Sequence, residues 1–463
     1  MSQKTRGKVK PKKLPKSLAG LQRINLNAAG IDISAGEHYV AVPADRDPQP
    51  VQRFGTYTSE LHRLARWLKD CGITTVAMES TSNYWVALFQ ILESAGLEVL
   101  LVNARHVKNV PGKKSDVLDC QWLQELHTYG LLRGSFRPSD QVCQLRSYLR
   151  HRDNLVRGAG RHIQHMQKAL TEMNLPLHRV FSDLTGLSAM LIIEAILQGE
   201  RDATKLAAMK DGRAKASVEE IVRALEGDYR AEHLFALEQA VRLYRTYSTM
   251  IAECDSKIAL QLASFAPKVD PSAQPLPEKA RKKTAAAQAD FQMRTQLYSI
   301  CGVDLTRIPG FHLLTVQALI SEIGLDMGRW RSEKHFSSWL NLSPGNKISG
   351  GKRLTLVPIK GHNRAADLLR LCASAALKSK TALGAYGRRL KARLGPPKAI
   401  KALAHKLARL LYRMLKHGAA YIEAGERYYE EKYQRHILAR LHKQAAHFGF
   451  QLTPTQGKLA TVS

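Results

Sequence analysis

The sequence predicts an α/β domain followed by mainly α-helical domains, and three observations lead to this class. Short apolar runs near the start of the chain predict strands, at residues 26–34, 37–43, 50–55, 74–79 and 97–102. Between residues 139 and 265, leucines and other apolar residues recur at helical intervals among arginines, as in long paired helices. After residue 290 helical patterns return, interrupted by Pro-Gly and Gly-Gly turns. We therefore expect a mixed-sheet domain, a long helical coiled-coil segment and a mainly helical C-terminal domain.

Composition places the domain boundaries. The first 24 residues are basic and lack any acid. They form either a disordered arm with phosphate affinity or a solvated tail without a role, and both interpretations stay open. A stretch rich in Pro, Ala and charge predicts a linker. The predicted division is 1–24 basic disordered arm, 25–138 sheet domain, 139–265 helical segment, 266–290 linker, 291–425 C-terminal domain and 426–463 C-terminal helix and tail.

The charge of the chain indicates its partner. Seventy Lys and Arg against 40 Asp and Glu give a formal net charge of +30, which favours a polyanion such as nucleic acid. No apolar run approaches the roughly 18 residues that a membrane span needs, and the basic start lacks the apolar segment of a signal peptide. The six cysteines are scattered without a CxxC pair, which is typical of reduced thiols in a cytoplasmic protein.

Four carboxylates occupy positions that suit a metal site. Asp32 closes the first apolar run, Glu79 closes another, and Asp116 and Asp119 open a predicted helix. In a mixed sheet the strands that carry Asp32 and Glu79 can be neighbours, with both acids near strand ends. If these four acids from separate segments lie close together, their mutual repulsion has to be offset by a bound cation. For Asp116 and Asp119 alone, a helix-capping acid beside a solvated acid is an open alternative.

The C-terminal half carries a serine in a flexible loop. Ser349 lies in Ile348-Ser349-Gly350-Gly351, and a glycine-rich loop lets the backbone approach a phosphate. Such a serine is more often a turn residue, and Ser343, which precedes a proline, ranks second as a nucleophile. Pro309 and Gly310 precede a predicted helix, as in half of a helix-hairpin-helix or in an ordinary turn. The candidate nucleic-acid-binding residues are Pro309, Gly310, Lys347, Lys352, Arg353, Lys360 and Arg364.

These motifs together resemble one family, the DEDD transposases of bacterial insertion sequences, described as bridge-RNA-guided recombinases. The matching residues are Gly30-Ile31-Asp32, Met78-Glu79-Ser80-Thr81, Lys114-Ser115-Asp116-Val117-Leu118-Asp119, Ile308-Pro309-Gly310, Leu342-Ser343-Pro344 and Ser349-Gly350. The sequence departs from the family at Asn341, where a glycine is usual, and in a longer segment over residues 200–290. The resemblance implies an RNase H-like (RuvC-like) fold for the sheet domain.

The resemblance also implies the activity. Asp32, Glu79, Asp116 and Asp119 would bind Mg²⁺, and Ser349 would attack DNA and hold a phosphoserine intermediate. The implied partners are DNA at element ends and target, a guide RNA and further copies of the chain, as a dimer or tetramer, in a bacterial, nucleoid-associated setting. Two other functions stay open. A metal-dependent junction-resolving nuclease would form no covalent adduct, and a non-catalytic nucleic-acid-binding protein would bind no divalent metal.

Overall fold

The computed structural model of the protein divides into two compact units, one ending at Arg137 and the other beginning at Pro138. It describes residues 21–80, 82–103, 116–212, 214–276, 285–343, 348–350, 352–353, 363–418 and 426–453. Lys347, Lys360 and most of the basic arm therefore lie outside the described residues. No helix in these ranges combines the length and apolar composition that a bilayer crossing needs.

A five-stranded mixed sheet forms the centre of the first unit. Its strands are β1 (Ala28–Ile33), β2 (Glu37–Ala41), β3 (Val51–Gly55), β4 (Thr75–Glu79) and β5 (Glu98–Val102). Their order in the sheet is β3-β2-β1-β4-β5, with β1, β2 and β3 antiparallel and β1, β4 and β5 parallel. The strand prediction is confirmed, and this mixed topology is compatible with the RNase H-like fold that the resemblance implies.

The period of two along β1 separates the two faces of the sheet. Ala29, Ile31 and Ile33 belong to an apolar core that α1 and α2 complete. Gly30 and Asp32 point to the other face, against which α3 packs. The helices described in this unit are α1 (Thr58–Asp70), α2 (Trp85–Ser94) and α3 (Asp116–Thr128). Because alternate residues of a strand point to opposite faces, Asp32 lies on the same face as Gly30, the face that packs against α3.

Two long helices, α4 (Asp140–Glu172) and α9 (Ala231–Ala263), organise the first part of the second unit. They are antiparallel, since Gln141 near the start of α4 donates to the Ser264 carbonyl 2.9 Å away, just after α9. At the other end Glu172 of α4 lies 3.4 Å from His233 of α9. The short helices between them are α5 (Leu177–Val180), α6 (Leu187–Leu197), α7 (Ala203–Ala208) and α8 (Val218–Ala224), which enclose an apolar core with the long pair. The pair forms within one chain, and coiled-coil geometry stays a prediction.

The remaining elements are mainly helical. They are α10 (Ala285–Cys301), α11 (Leu313–Ile323), α12 (Glu333–Trp339), β6 (Ile348–Ser349), β7 (Lys352–Arg353), α13 (Arg364–Ala376), α14 (Ala382–Leu394), α15 (Pro396–His417) and α16 (Glu426–His447). Of the predicted linker over 266–290, residues 277–284 lie outside the described residues, and residues 266–276 contact neighbouring parts of the fold. The amides of Lys268 and Val269 donate to the Ser299 carbonyl at 2.8 and 3.2 Å, and Leu276 is buried. This stretch is held because a proline-rich composition does not prevent burial of its few apolar residues.

Candidate active site and nucleic-acid interface

The register of β1 and β4 places the first two candidate acids side by side. These strands are parallel, and Ile31 is paired with Met78. The next residues, Asp32 and Glu79, therefore stand at the carboxyl ends of neighbouring strands. Both side chains are half-buried. Glu79 shares the face of Thr75 and Ala77, since alternate residues of a strand point to the same side.

Helix α3 crosses this face and runs back along the strands. His127, near its C-terminus, lies 2.9 Å from the Thr75 hydroxyl at the start of β4. In mid-strand, a Cβ placed on Gly30 would lie 2.3 Å from the Cys120 carbonyl oxygen, so only glycine admits the helix this closely. Because α3 runs opposite to the strands, its N-terminal turn lies towards their carboxyl ends. This turn carries Asp119.

Two of the candidate acids, Asp32 and Asp119, act electrostatically on the buried thiol of Cys120. Burial, reinforced by the negative charges of Asp32 and Asp119, raises the pKa of the Cys120 thiol to about 12. Asp32 and Asp119 therefore both lie within electrostatic reach of this thiol. Asp116 is the first residue of α3, one turn before Asp119, and its side chain lies outside the description. Asp116 and Asp119 are three positions apart in one helix, a spacing that the sequence predicts to place both on one face.

The donor set suits a hard divalent cation. Among the side chains that the structure describes, no three His, Cys, Asp or Glu form a group that could hold a metal ion. That description omits the Asp116 side chain, the fourth predicted ligand. Carboxylate oxygens are the preferred ligands of Mg²⁺ and Mn²⁺, which are usually held by one or two carboxylates together with substrate phosphates. By donor chemistry, Asp32, Glu79 and Asp119 fit such an ion.

The candidate nucleophile lies on a short β-hairpin in the second unit. Strands β6 and β7 are antiparallel, with Ser349 opposite Lys352 and Ile348 opposite Arg353. Only Gly350 and Gly351 separate the strands, and Gly350 has φ +54°. A Gly-Gly pair suits such a hairpin because its tight turns require positive φ. The backbone of Ser349 is therefore fixed by pairing at the last position before the turn.

Helix α12 precedes this hairpin in the sequence, and its first residue, Glu333, is held by two arginines. Glu333 accepts hydrogen bonds from Arg409 at 2.9 Å and from Arg413 at 2.8 Å, both on α15. Hydrogen bonds from Arg413, followed by those from Arg409, lower the pKa of Glu333 to about 2 despite the opposing effect of burial. After α12, the Ser343 hydroxyl lies 3.2 Å from that of fully buried Ser337. This contact gives the second-ranked serine a structural partner.

Gly310 makes a close approach to another helix. Its φ is +86°, and a Cβ placed there would lie 2.2 Å from the Cys372 carbonyl oxygen of α13. Glycine is therefore needed here for packing against α13. The turn precedes α11, which ends at Gly324 with φ +73°. The predicted helix and its end are present, whereas phosphate binding by Pro309 and Gly310 stays a prediction.

Many cations of the C-terminal stretch have partners within the chain. Between Lys347 and Lys416 the sequence carries eighteen Lys and Arg and one acid. Arg364 nevertheless pairs with Asp153 and lies near Glu322, and Arg409 and Arg413 hold Glu333. Exposed cations that were not among the candidate residues lie on α14, at Lys391 and Arg393, and on α15, at Lys398, Lys401 and Lys406. The signal available in the sequence was the absence of acids along both helices.

Two models of transposase families match segments of this chain. A transposase model of the DEDD, IS110 type matches residues 29–175, which include all four candidate acids. The model described as transposase of the IS116/IS110/IS902 family matches residues 302–387, which include Ser349. No curated protein shows a significant match. The chain is thus an enzyme of the DNA transposase and recombinase class. It belongs to the IS110-type DEDD transposase family, whose members act on DNA and use divalent metal ions.

Proposed function

We propose that this transposase cuts and rejoins DNA through a covalent Ser349 phosphodiester intermediate, with Mg²⁺ held by Asp32, Glu79, Asp116 and Asp119. One observation supports the metal half of the proposal: Asp32 and Glu79 lie at the carboxyl ends of neighbouring parallel strands, and the first turn of α3 lies towards the same edge of the sheet. Carboxylates close to one another repel, so the four acids at this edge of the sheet would be stabilised by a bound cation.

The metal would supply electrostatic stabilisation to the phosphate as negative charge develops on its oxygens. Asp32, Glu79, Asp116 and Asp119 would hold it, since each lies at a strand end or in the first turn of a helix. Half-burial of Asp32 and Glu79 limits the water around that charge, which strengthens the interaction. Asp116 and Asp119 gain from their place in the first turns of α3, where the helix dipole favours negative charge.

The covalent step conserves the energy of the DNA backbone. The Ser349 oxygen forms a bond to phosphorus while one phosphorus–oxygen bond to a deoxyribose breaks. The serine hydroxyl loses its proton, and the departing deoxyribose oxygen gains one. A DNA hydroxyl then attacks the serine phosphodiester, which restores the serine and forms the recombined strand. Rejoining therefore requires no nucleotide cofactor.

Lys352 and the exposed cations support DNA binding. Lys352 is paired with Ser349 across the hairpin, so it lies beside the nucleophile along the backbone. We assign phosphate contacts to Lys347, Lys352, Arg353 and Lys360, and to the exposed cations of α14 and α15. Phosphate contacts position the duplex without reading its sequence. We therefore propose that sequence choice comes from base pairing with a guide RNA, and that a homo-oligomer, a dimer or tetramer, joins two DNA strands.

The experiment is a cleavage assay with end-labelled element DNA, run with Mg²⁺ or with a chelator and resolved on a denaturing gel. We expect labelled DNA that remains attached to protein under denaturing conditions, and none when the chelator is present. Clean cleavage without an adduct would instead favour the junction-resolving nuclease. Binding without cleavage under every metal condition would leave only the nucleic-acid-binding function.

A further inference from the structure

Arg364 is the first residue of α13, and it is held by acids of two other helices. Its guanidinium donates to Asp153 of α4, and its Nε lies 3.6 Å from a carboxylate oxygen of Glu322 on α11. The side chain is 28% exposed, whereas that of Glu322 is only 8% exposed. Arg364 therefore faces two carboxylates in a partly desolvated place, with Arg150 near enough to repel its charge.

Glu322 lies close to three arginines, Arg146, Arg150 and Arg364. Arg150 donates to both of its carboxylate oxygens, at 3.0 and 2.9 Å, in the forked geometry that makes such pairs strong. Arg146 donates to the main-chain carbonyls of Ser321 and Glu322, at 3.0 and 2.9 Å. These carbonyls belong to the last turn of α11, where helical partners are missing. One face of α4 thus fixes both the C-terminus of α11 and the N-terminus of α13.

The N-terminus of α13 is also where the chain returns from the Ser349 hairpin. Asn363 caps α13 by accepting from the Ala366 amide at 3.2 Å. Its side-chain amide also donates to the Trp339 carbonyl at the end of α12, 3.5 Å away. Hence α12, from which the chain leaves for the hairpin, and Asn363, to which it returns, are tied together. Arg364, next in sequence, connects this junction to α4.

We propose that Arg364 is a positioning residue, which fixes on α4, through Asp153 and Glu322, the N-terminus of α13, the helix that follows the Ser349 hairpin in the sequence. This role replaces the phosphate contact that the sequence predicted for it. A phosphate ligand at Arg364 would have to compete with two carboxylates, Asp153 and Glu322, for the same guanidinium. The inference rests on the proposed role of Ser349, because it concerns the placement of that residue.

Asp153→Asn gives the sharpest test, since Asp153 is negative and cannot itself bind phosphate. If Arg364 is a positioning residue, losing its partner should lower the rate of adduct formation at saturating DNA by about 10²-fold, the cost of a small misplacement of reacting groups. DNA affinity should stay the same or rise slightly. If Arg364 instead binds phosphate, Asp153→Asn should leave the rate unchanged and strengthen binding, which would overturn the inference.

A charge reversal provides the second arm. Arg364→Asp alone should slow adduct formation as Asp153→Asn does, and combining it with Asp153→Arg should recover most of the rate. A phosphate-binding Arg364 predicts no recovery, and a fall of about one in the slope of log affinity against log salt. If Arg364→Asp does not fold, Arg364→Lys replaces it, because it keeps the charge and loses the forked geometry. A positioning role then predicts a slower rate with an unchanged salt slope.

The matched control is another arginine–carboxylate pair between helices of the same unit, Arg245 on α9 and Glu194 on α6. Glu194→Gln should leave adduct formation unchanged, because this pair lies on the helical core away from the hairpin. Strand cleavage is measured in parallel with the adduct. If the wild type cleaves without an adduct, the role of Ser349 fails, and the rates of cleavage still report on Arg364.

Discussion

The sheet unit and the serine-bearing region hold their candidate catalytic residues by different means. In the sheet, backbone pairing of β1 with β4 places Asp32 and Glu79, and a contact that only glycine permits places α3. Around Ser349, arginine–carboxylate clusters centred on Glu333 and Glu322 fix the helices on either side of the hairpin. Placement by backbone depends on shape, whereas placement by charge depends on ionisation. The two regions should therefore fail under different changes.

The largest effect is expected at the metal site. Asp32→Asn removes one charged ligand and keeps the shape of the side chain, so the sheet should stay folded. We expect DNA strand cleavage to fall by about 10²–10³-fold, the cost of losing one electrostatic stabiliser. The measurement is single-turnover cleavage in Mg²⁺. Glu98→Gln is the control, because Glu98 lies at the opposite, amino-terminal end of β5. Full cleavage by Asp32→Asn would remove the metal site from the account.

Placement by shape is tested at Gly30. Gly30→Ala would put a methyl group 2.3 Å from two backbone atoms of α3, so the helix must move away from β1. We expect a loss of about 1–3 kcal/mol in the free energy of unfolding, as in other overpacked sites, and a loss of cleavage. Gly36→Ala is the matched control, since nothing lies within 4 Å of its Cβ position. Equal stabilities for the two variants would contradict the packing of α3.

Placement by charge is tested with pH. The pKa of Glu333 is lowered to about 2, so its ionised form stabilises the fold above the ordinary pKa near 4.5. That contribution is lost as pH falls from about 4.5 towards 2, and it is worth about 3 kcal/mol. Glu333→Gln should therefore lower stability at neutral pH and flatten its decline in acid. Denaturant unfolding from pH 3 to 7 measures this.

The control for this charge is Glu431→Gln. Glu431 forms an exposed pair with Arg427 on α16, with side chains 55% and 95% exposed. Such surface pairs contribute little, so its stability curve should follow that of the wild type. A Glu333→Gln variant that also follows the wild type would show that α12 is held by packing rather than by charge.

The same contrast explains what the sequence could predict. The strands, and the positions of Asp32 and Glu79 near their ends, followed from short apolar runs, which are a local signal. Asp119 followed from a helical period, also local. The partner of Arg364 could not be predicted, because Asp153 lies 211 residues earlier in the chain. The contacts of Lys268 and Val269 with Ser299 could not be predicted for a similar reason, since they depend on tertiary packing. The sequence shows that an arginine or lysine is present, whereas only the fold shows which carboxylate it pairs with.

The central claim is that Ser349 carries the covalent intermediate, and peptide mapping of the protein–DNA adduct tests it most directly. Wild type, Ser349→Ala and Ser343→Ala are incubated with labelled element DNA and Mg²⁺, denatured and digested. The account predicts a nucleotide-bearing peptide containing Ser349 in the wild type and in Ser343→Ala, and no adduct in Ser349→Ala despite normal DNA binding. An adduct on Ser343, or recombination by Ser349→Ala at the wild-type rate, would contradict it.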